Sequence, residues 1–161
     1  MGYYANTMDM NFIIKKDNLE DAYKALCALN ATDEGKNRYF EGDTPPAKPE
    51  WSKSVSNTPH MSFKYMDWNY DENLNDVFEV FSALGFETLT TEDGDFELDG
   101  YDDIMGDHEL FFVSVAPFVE DGSYVEWEGS DGERWRNQFD GGEMKTLLPK
   151  IVWVEEDELW S

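Results

Sequence analysis

The stretch YVEWEGSDGERWRNQF, residues 124–139, decides how this chain folds. If Glu128 pairs with Arg134, the same antiparallel register sets Trp127 opposite Trp135 and Glu126 opposite Arg136. Opposite charges then meet on one face and tryptophans on the other. Three cross-strand pairs agree on one register, each contributing a few tenths to about 1 kcal/mol. A hairpin with one polar and one apolar face is the expected nucleus of a sheet.

The elements around it follow by periodicity. Toward the C-terminus, Leu147 to Val154 reads as a last strand, and residues 155–161 as an acidic tail ending in Leu159-Trp160. Toward the N-terminus, Leu110 to Val119 is nearly all apolar and predicts a central strand buried on both faces. Asp102 to Asp107 reads as an acidic connector. A second hairpin is expected over 87–99, where Thr88-Leu89-Thr90 and Phe96-Glu97-Leu98 flank Glu92-Asp93-Gly94-Asp95. The spacing of Leu74, Val77, Phe78, Phe81 and Leu84 predicts a helix over 71–84, with Glu72, Asn75, Asp76 and Glu79 outward and Gly85 as its C-cap.

Met61 to Trp68 predicts a strand. Residues 31–60 hold Gly35, Gly42, a PPAKP segment and four basic residues without sustained periodicity, and read as a long irregular loop. Asp17-Asn18 is expected to cap a helix from Leu19 to Leu29, which carries Leu19, Ala22, Tyr23, Leu26 and Leu29 on one stripe. Met8 to Ile14 alternates as a first strand. Together these elements predict an α+β fold: a single domain of mostly antiparallel sheet with two helices packed on one face.

Charge supplies the functional clue. Residues 65–133 contain no lysine or arginine, yet they hold 21 of the 36 carboxylates. All 12 basic residues lie outside that stretch, eight at or before Lys64 and four from Arg134 onward. With 40% apolar and 16% aromatic residues the chain has ample core material, so this is a folded acidic protein and not a disordered acidic tail. A net charge of −24 repels nucleic acid and anionic membrane, so a natural partner is basic. The sequence has no membrane-length apolar run and no basic signal start, and its single Cys27 fits a reducing compartment, so a cytoplasmic location is expected.

Motifs for chemistry are sparse. Asp95-x-Glu97-x-Asp99-Gly100 matches four positions of a calcium loop but has Gly106 where the bidentate glutamate belongs. No metal site is assigned. His60 and His108 fall in different segments without a nucleophile motif, and Cys27 has no local basic or histidine neighbour to activate it. Thirty-six acids make carboxylate pairs inevitable, so their presence does not identify a hydrolase. No catalytic residue and no cofactor is expected, and a small enzyme ranks last among the readings.

The carboxylates read best as a charge lattice. Same-face residues on a strand recur about every 6.8 Å, whereas duplex DNA carries a charge about every 1.7 Å of axis. Several neighbouring rows are needed to imitate it. The expected partner-binding residues are Glu72, Asp76, Glu79, Glu92, Asp93, Asp95, Glu97, Asp99, Asp102, Asp103 and Asp107. Glu126 and Glu128 count for less, because Arg136 and Arg134 neutralise them. The expected function is occupation of the nucleic-acid site of a basic nucleic-acid-binding protein, with no direct contact to nucleic acid. Two alternatives stay open: an immunity-type inhibitor that plugs a basic enzyme active site, and an acidic protein without a specific partner.

The opening Met1-Gly2-Tyr3-Tyr4, the 18–30 helix and the late Ala116-Pro117-Phe118-Val119, Gly122-Ser123-Tyr124 and Asp131-Gly132-x-x-Trp135-Arg136 resemble a family of small acidic phage and bacterial proteins. That family carries no assigned activity to transfer. In size and charge the chain is also similar to phage-encoded DNA mimics that block restriction or CRISPR systems. This second resemblance implies a host defence nuclease or its DNA-recognition subunit as target, in the cytoplasm of the host cell.

Overall fold

Glu126, Trp127 and Glu128 on strand β6 (Ser123–Gly129) pair with Arg136, Trp135 and Arg134 on strand β7 (Arg134–Asp140), in the register their charges dictate. This is a computed structural model, and it describes residues 3–32, 66, 69–105 and 108–159. Arg136 Nη2 donates to Glu126 at 2.8 Å and Arg134 Nε to Glu128 at 3.3 Å. On the other face the two indoles stack at 6.1 Å, with 13° between their planes. Trp127 is fully buried, and its Nε1–H donates to Oδ1 of the equally buried Asn137 at 2.8 Å. Asn137→Leu keeps the branched shape but strands that donor in the core. Urea unfolding of this variant is expected to show a loss of about 1–3 kcal/mol.

The hairpin lies within a five-stranded antiparallel sheet of order β5-β1-β6-β7-β8, formed with β1 (Tyr3–Asn11), β5 (Asp102–Met105) and β8 (Glu143–Leu147). A smaller antiparallel sheet has order β2-β4-β3, from Ile13–Ile14, Phe96–Gly100 and Glu87–Thr90. The first strand thus starts earlier than its alternation suggested, and the chain passes from one sheet to the other at Phe12. The hairpin at 87–99 forms as expected, with Gly94 at φ +88° closing the turn through a bond from its N–H to Thr91 O.

Helix α1 spans Leu19–Leu29 as the apolar stripe predicted. Its entry differs: Asn18 makes no side-chain cap, and a 3-10 turn at Lys16–Asn18 leads in. The expected helix at 71–84 divides into α2 (Tyr70–Asn73) and α3 (Val77–Ala83). Asp76 causes the break by restarting the helix. Its carboxylate accepts from Glu79 N at 2.8 Å, and Glu79 reaches back to Asn75 N at 2.5 Å, a reciprocal cap. Gly85, at φ +107°, ends α3 as expected, with bonds from Gly85 N to Ser82 O and from Phe86 N to Phe81 O.

Three expectations are corrected. Leu110 to Val119 is not a strand: helix α4 (His108–Val115) and a 3-10 turn at Ala116–Phe118 occupy it. His108, Phe111, Phe112 and Val115 are buried at i, i+3, i+4 and i+7, but the outward Val113 is apolar too, which hides the helical period. Leu147 to Val154 is not a strand either. β8 ends at Leu147, because the β7 register would set Pro149, which has no N–H, opposite Arg134, the first residue of β7. Residues 102–105 form an edge strand, not a connector, and the acidic tail holds a short helix α5 (Glu156–Leu159). The loop at 31–60 beyond Thr32, and the strand at 61–68 apart from the buried Met66, lie outside the described residues.

The α+β class holds, with helices α1, α3 and α4 packing on a core that both sheets share. Phe12 sits at its centre, with ring centroids of Phe81, Phe96, Phe112 and Phe139 at 5.1–6.2 Å. Tyr70 and Tyr23 tie α1 to α2, donating to the carbonyls of Leu26 and Leu74 respectively. Burial pushes the Tyr23 hydroxyl up to about 12. Among the described residues no helix is long and apolar enough to cross a membrane.

Candidate partner-binding surface

The surface begins where the chain leaves the small sheet at Gly100 and enters the edge of the large one at Asp102. Thr7, at a bulge in β1, holds that crossover. Its N–H donates to Tyr101 O at 2.9 Å, and its Oγ1 accepts from Tyr101 N at 3.0 Å. Glu87 pairs across the strands with Gly100, and Asn6 with Asp102, so the clasp brings Glu87 and Asp102 to the two sides of one cleft. The cleft has a volume of about 370 Å³, with Gly85 and Gly100 in its wall. Asp103 follows Asp102 on the edge strand, and Asp99 and Glu97 lie along β4.

Two neighbouring strands stand about 4.8 Å apart, with same-face residues about 6.8 Å along each. Glu97 and Asp99 share a face of β4, while Leu89 and Ile13 lie across from Glu97 on the flanking strands. Glu92 and Asp93 are exposed at the tip of the 87–99 hairpin. Among the described residues, none of Glu87, Glu92, Asp93, Glu97, Asp99 and Asp102 pairs with a lysine or arginine. Exposed Tyr4 hydrogen-bonds Asp102, which raises the pKa of its hydroxyl.

The other expected residues separate from this group. Asp95 is buried: its carboxylate accepts from Lys16 N at 2.8 Å and pairs with Lys15 at 3.5 Å, so it anchors the turn into α1 and presents no free charge. Glu97 and Asp99 run along a strand and do not wrap around a point as a calcium loop would. Asp76 and Glu79 are exposed but spend their oxygens on the cap of α3. Glu72 is half-buried on α2, and Asp107 lies outside the described residues. Glu87 escaped the sequence reading because it sits alone at a strand start, outside the dense acidic run at 92–107. Among the described residues no group of three or more His, Cys, Asp or Glu side chains is placed to hold a metal ion.

The outer face of β6 and β7 is neutral by comparison. Tyr124 donates to Asp9 at 2.9 Å, and Arg136 lies 4.9 Å over the Tyr124 ring while it bonds Glu126. That bond to Glu126 raises the arginine's pKa further. Cys27 is half-buried, and burial raises its thiol pKa, the opposite of an activated nucleophile.

His108 is fully buried, and its Nε2–H donates to Leu84 O at 3.0 Å. Burial lowers its pKa below the usual 6.5, outweighing the Leu84 bond and the charge of Asp103. The unfolded chain therefore binds a proton that the folded chain refuses. The stability His108 provides is complete above pH 6.5 and is lost as pH falls toward its lowered value. The difference in unfolding free energy between wild type and His108→Gln is expected to shrink below pH 6.5, by at most about 1.4 kcal/mol per pH unit. A constant difference from pH 7.5 to 5 would show that the imidazole does not titrate this way.

No protein family, no curated protein and no solved structure matches this chain.

Proposed function

We propose that this chain is an acidic binding protein that occupies the nucleic-acid site of a basic nucleic-acid-binding protein, setting carboxylates where phosphates bind. The observation that carries this reading is the group Glu87, Glu92, Asp93, Glu97, Asp99 and Asp102, on adjoining strands and their turn, without a basic partner among the described residues. The group is spread over β3, β4, the turn between them and the start of β5, so its charge is not confined to one strand. A groove built to bind phosphates is steered toward such a field, and the attraction falls as salt screens it. The resemblance in size and charge makes a host defence protein of restriction or CRISPR type the target class, and the host cytoplasm the place of action. The chain acts as an inhibitor without catalysis.

The test is capture of partners by the tagged protein from a nuclease-treated bacterial lysate, with elution along a salt gradient. Nucleic-acid-binding proteins that elute at moderate salt and are displaced by duplex DNA are the expected result. A single partner indifferent to duplex DNA would replace this reading with that of an inhibitor plugging one enzyme. Absence of any salt-sensitive partner would return the charge to a solubility role.

A further inference from the structure

β8 stands at the free edge of the large sheet, and the chain that follows it is the most apolar exposed segment among the described residues. Leu148, Ile151, Val152, Trp153 and Val154 all face solvent, Ile151 at 84% exposure and Trp153 at 94%. Ile151 to Val154 are β-branched or aromatic, the types that favour strands. No strand pairs with them among the described residues. An exposed run of this kind, continuing from the edge strand, is a template for another strand. It also sits on a protein of charge −24, so solubility does not explain it.

Flanking charge identifies the occupant. Lys150 precedes the run, and Glu155 and Glu156 follow it. That polarity is complementary to itself when two copies run antiparallel. We propose that residues 149–155 pair with the same residues of a second copy of this chain, antiparallel about a two-fold axis at Val152. A two-fold strand pair sets one residue against its own copy. With Val152 there, Ile151 faces Trp153 of the other copy at both ends, and Pro149 falls at the margin, where its missing N–H costs nothing. Lys150 then lies diagonally across from Glu156 of the other copy, on the same face and within reach of its long side chain. An axis at Trp153 or Val154 sets Ile151 against Glu155 or Asp157, and an axis at Ile151 sets Trp153 against Pro149.

Light scattering on a sizing column, over a range of concentrations, tests this. The expected mass is twice 18.7 kDa, falling to 18.7 kDa on dilution. Each copy carries −24, so the dimer tightens as salt rises, opposite in sign to the binding proposed above. Val152→Asp sets two carboxylates at the axis and is expected to weaken association at least about tenfold. Because Val152 is exposed, its melting temperature is expected to match that of wild type at concentrations low enough for wild type to be monomeric. Lys150→Glu is expected to weaken the dimer, and Lys150→Glu with Glu156→Lys to recover it.

In a Cys27→Ala background, Val152→Cys is expected to form an intermolecular disulfide under oxidant faster than Trp153→Cys, since opposed Cα atoms in an antiparallel pair lie about 4.5–5.5 Å apart. A mass of 18.7 kDa at every concentration would overturn the proposal and assign the segment to a different chain. A dimer indifferent to Val152→Asp would overturn it by placing the interface elsewhere.

Discussion

Phe12→Ala is expected to lower the unfolding free energy by about 3–5 kcal/mol, which for a chain of this length shifts the melting temperature by roughly 6–20 °C. Phe12 is fully buried where the chain passes from the large sheet to the small one. Its ring meets four others: Phe139 on β7 at 5.1 Å, Phe112 on α4 at 5.5 Å, and Phe81 on α3 and Phe96 on β4 at 6.2 Å. Its carbonyl accepts from Leu98 N, so the backbone at this residue already belongs to the second sheet. Truncation removes ring contacts with four elements at once, two of them edge-to-face, and backbone bonds on either side keep those elements from closing the gap.

Val113→Ala is the matched control. It deletes apolar atoms from the same helix that carries Phe112, but at a site 53% exposed, where a change within about 0.5 kcal/mol is expected. Thermal melts of both variants decide the matter. A loss at Phe12 no larger than at Val113 would mean that the sheets do not share one core.

What the sequence disclosed depended on whether a residue's environment was local. Glu126, Trp127 and Glu128 each had an independent partner within ten positions, so one register satisfied all three. Helix α1 was legible for the same reason, its stripe unbroken from Leu19 to Leu29. α4 was not, because exposed Val113 filled the position that should have marked its outer face. The candidate surface divides along the same line. Glu92 and Asp93 are exposed at a turn written in their own neighbourhood. Asp95, two positions on, is withdrawn by Lys15 and Lys16, which lie about 80 positions earlier and reach it through the fold. Glu87 joins the surface through Gly100 and the Thr7 clasp, contacts that no local pattern records.

Amide substitution of Glu87, Glu92, Asp93, Glu97, Asp99 and Asp102 raises the net charge by six from −24 and is expected to weaken partner binding most. An exposed ion pair contributes roughly 0.2–1 kcal/mol, so six together give about 1–6 kcal/mol, a loss of roughly tenfold to more than a thousandfold in affinity. Salt dependence discriminates further. If these carboxylates take the place of phosphates, the variant makes fewer charge contacts, and its affinity falls less steeply with salt than that of the wild type. Folding stability is expected to hold or rise slightly, because removal of exposed like charges relieves self-repulsion.

Glu126→Gln with Glu128→Gln supplies the contrast. Those two acids are matched by Arg136 and Arg134, so their loss changes the net charge without touching Glu87, Glu92, Asp93, Glu97, Asp99 and Asp102, which have no basic partner among the described residues. Affinity near wild type is expected there. Equal weakening per charge removed in both variants would show that the partner senses total charge alone, and mimicry by the 87–102 surface would have to be abandoned.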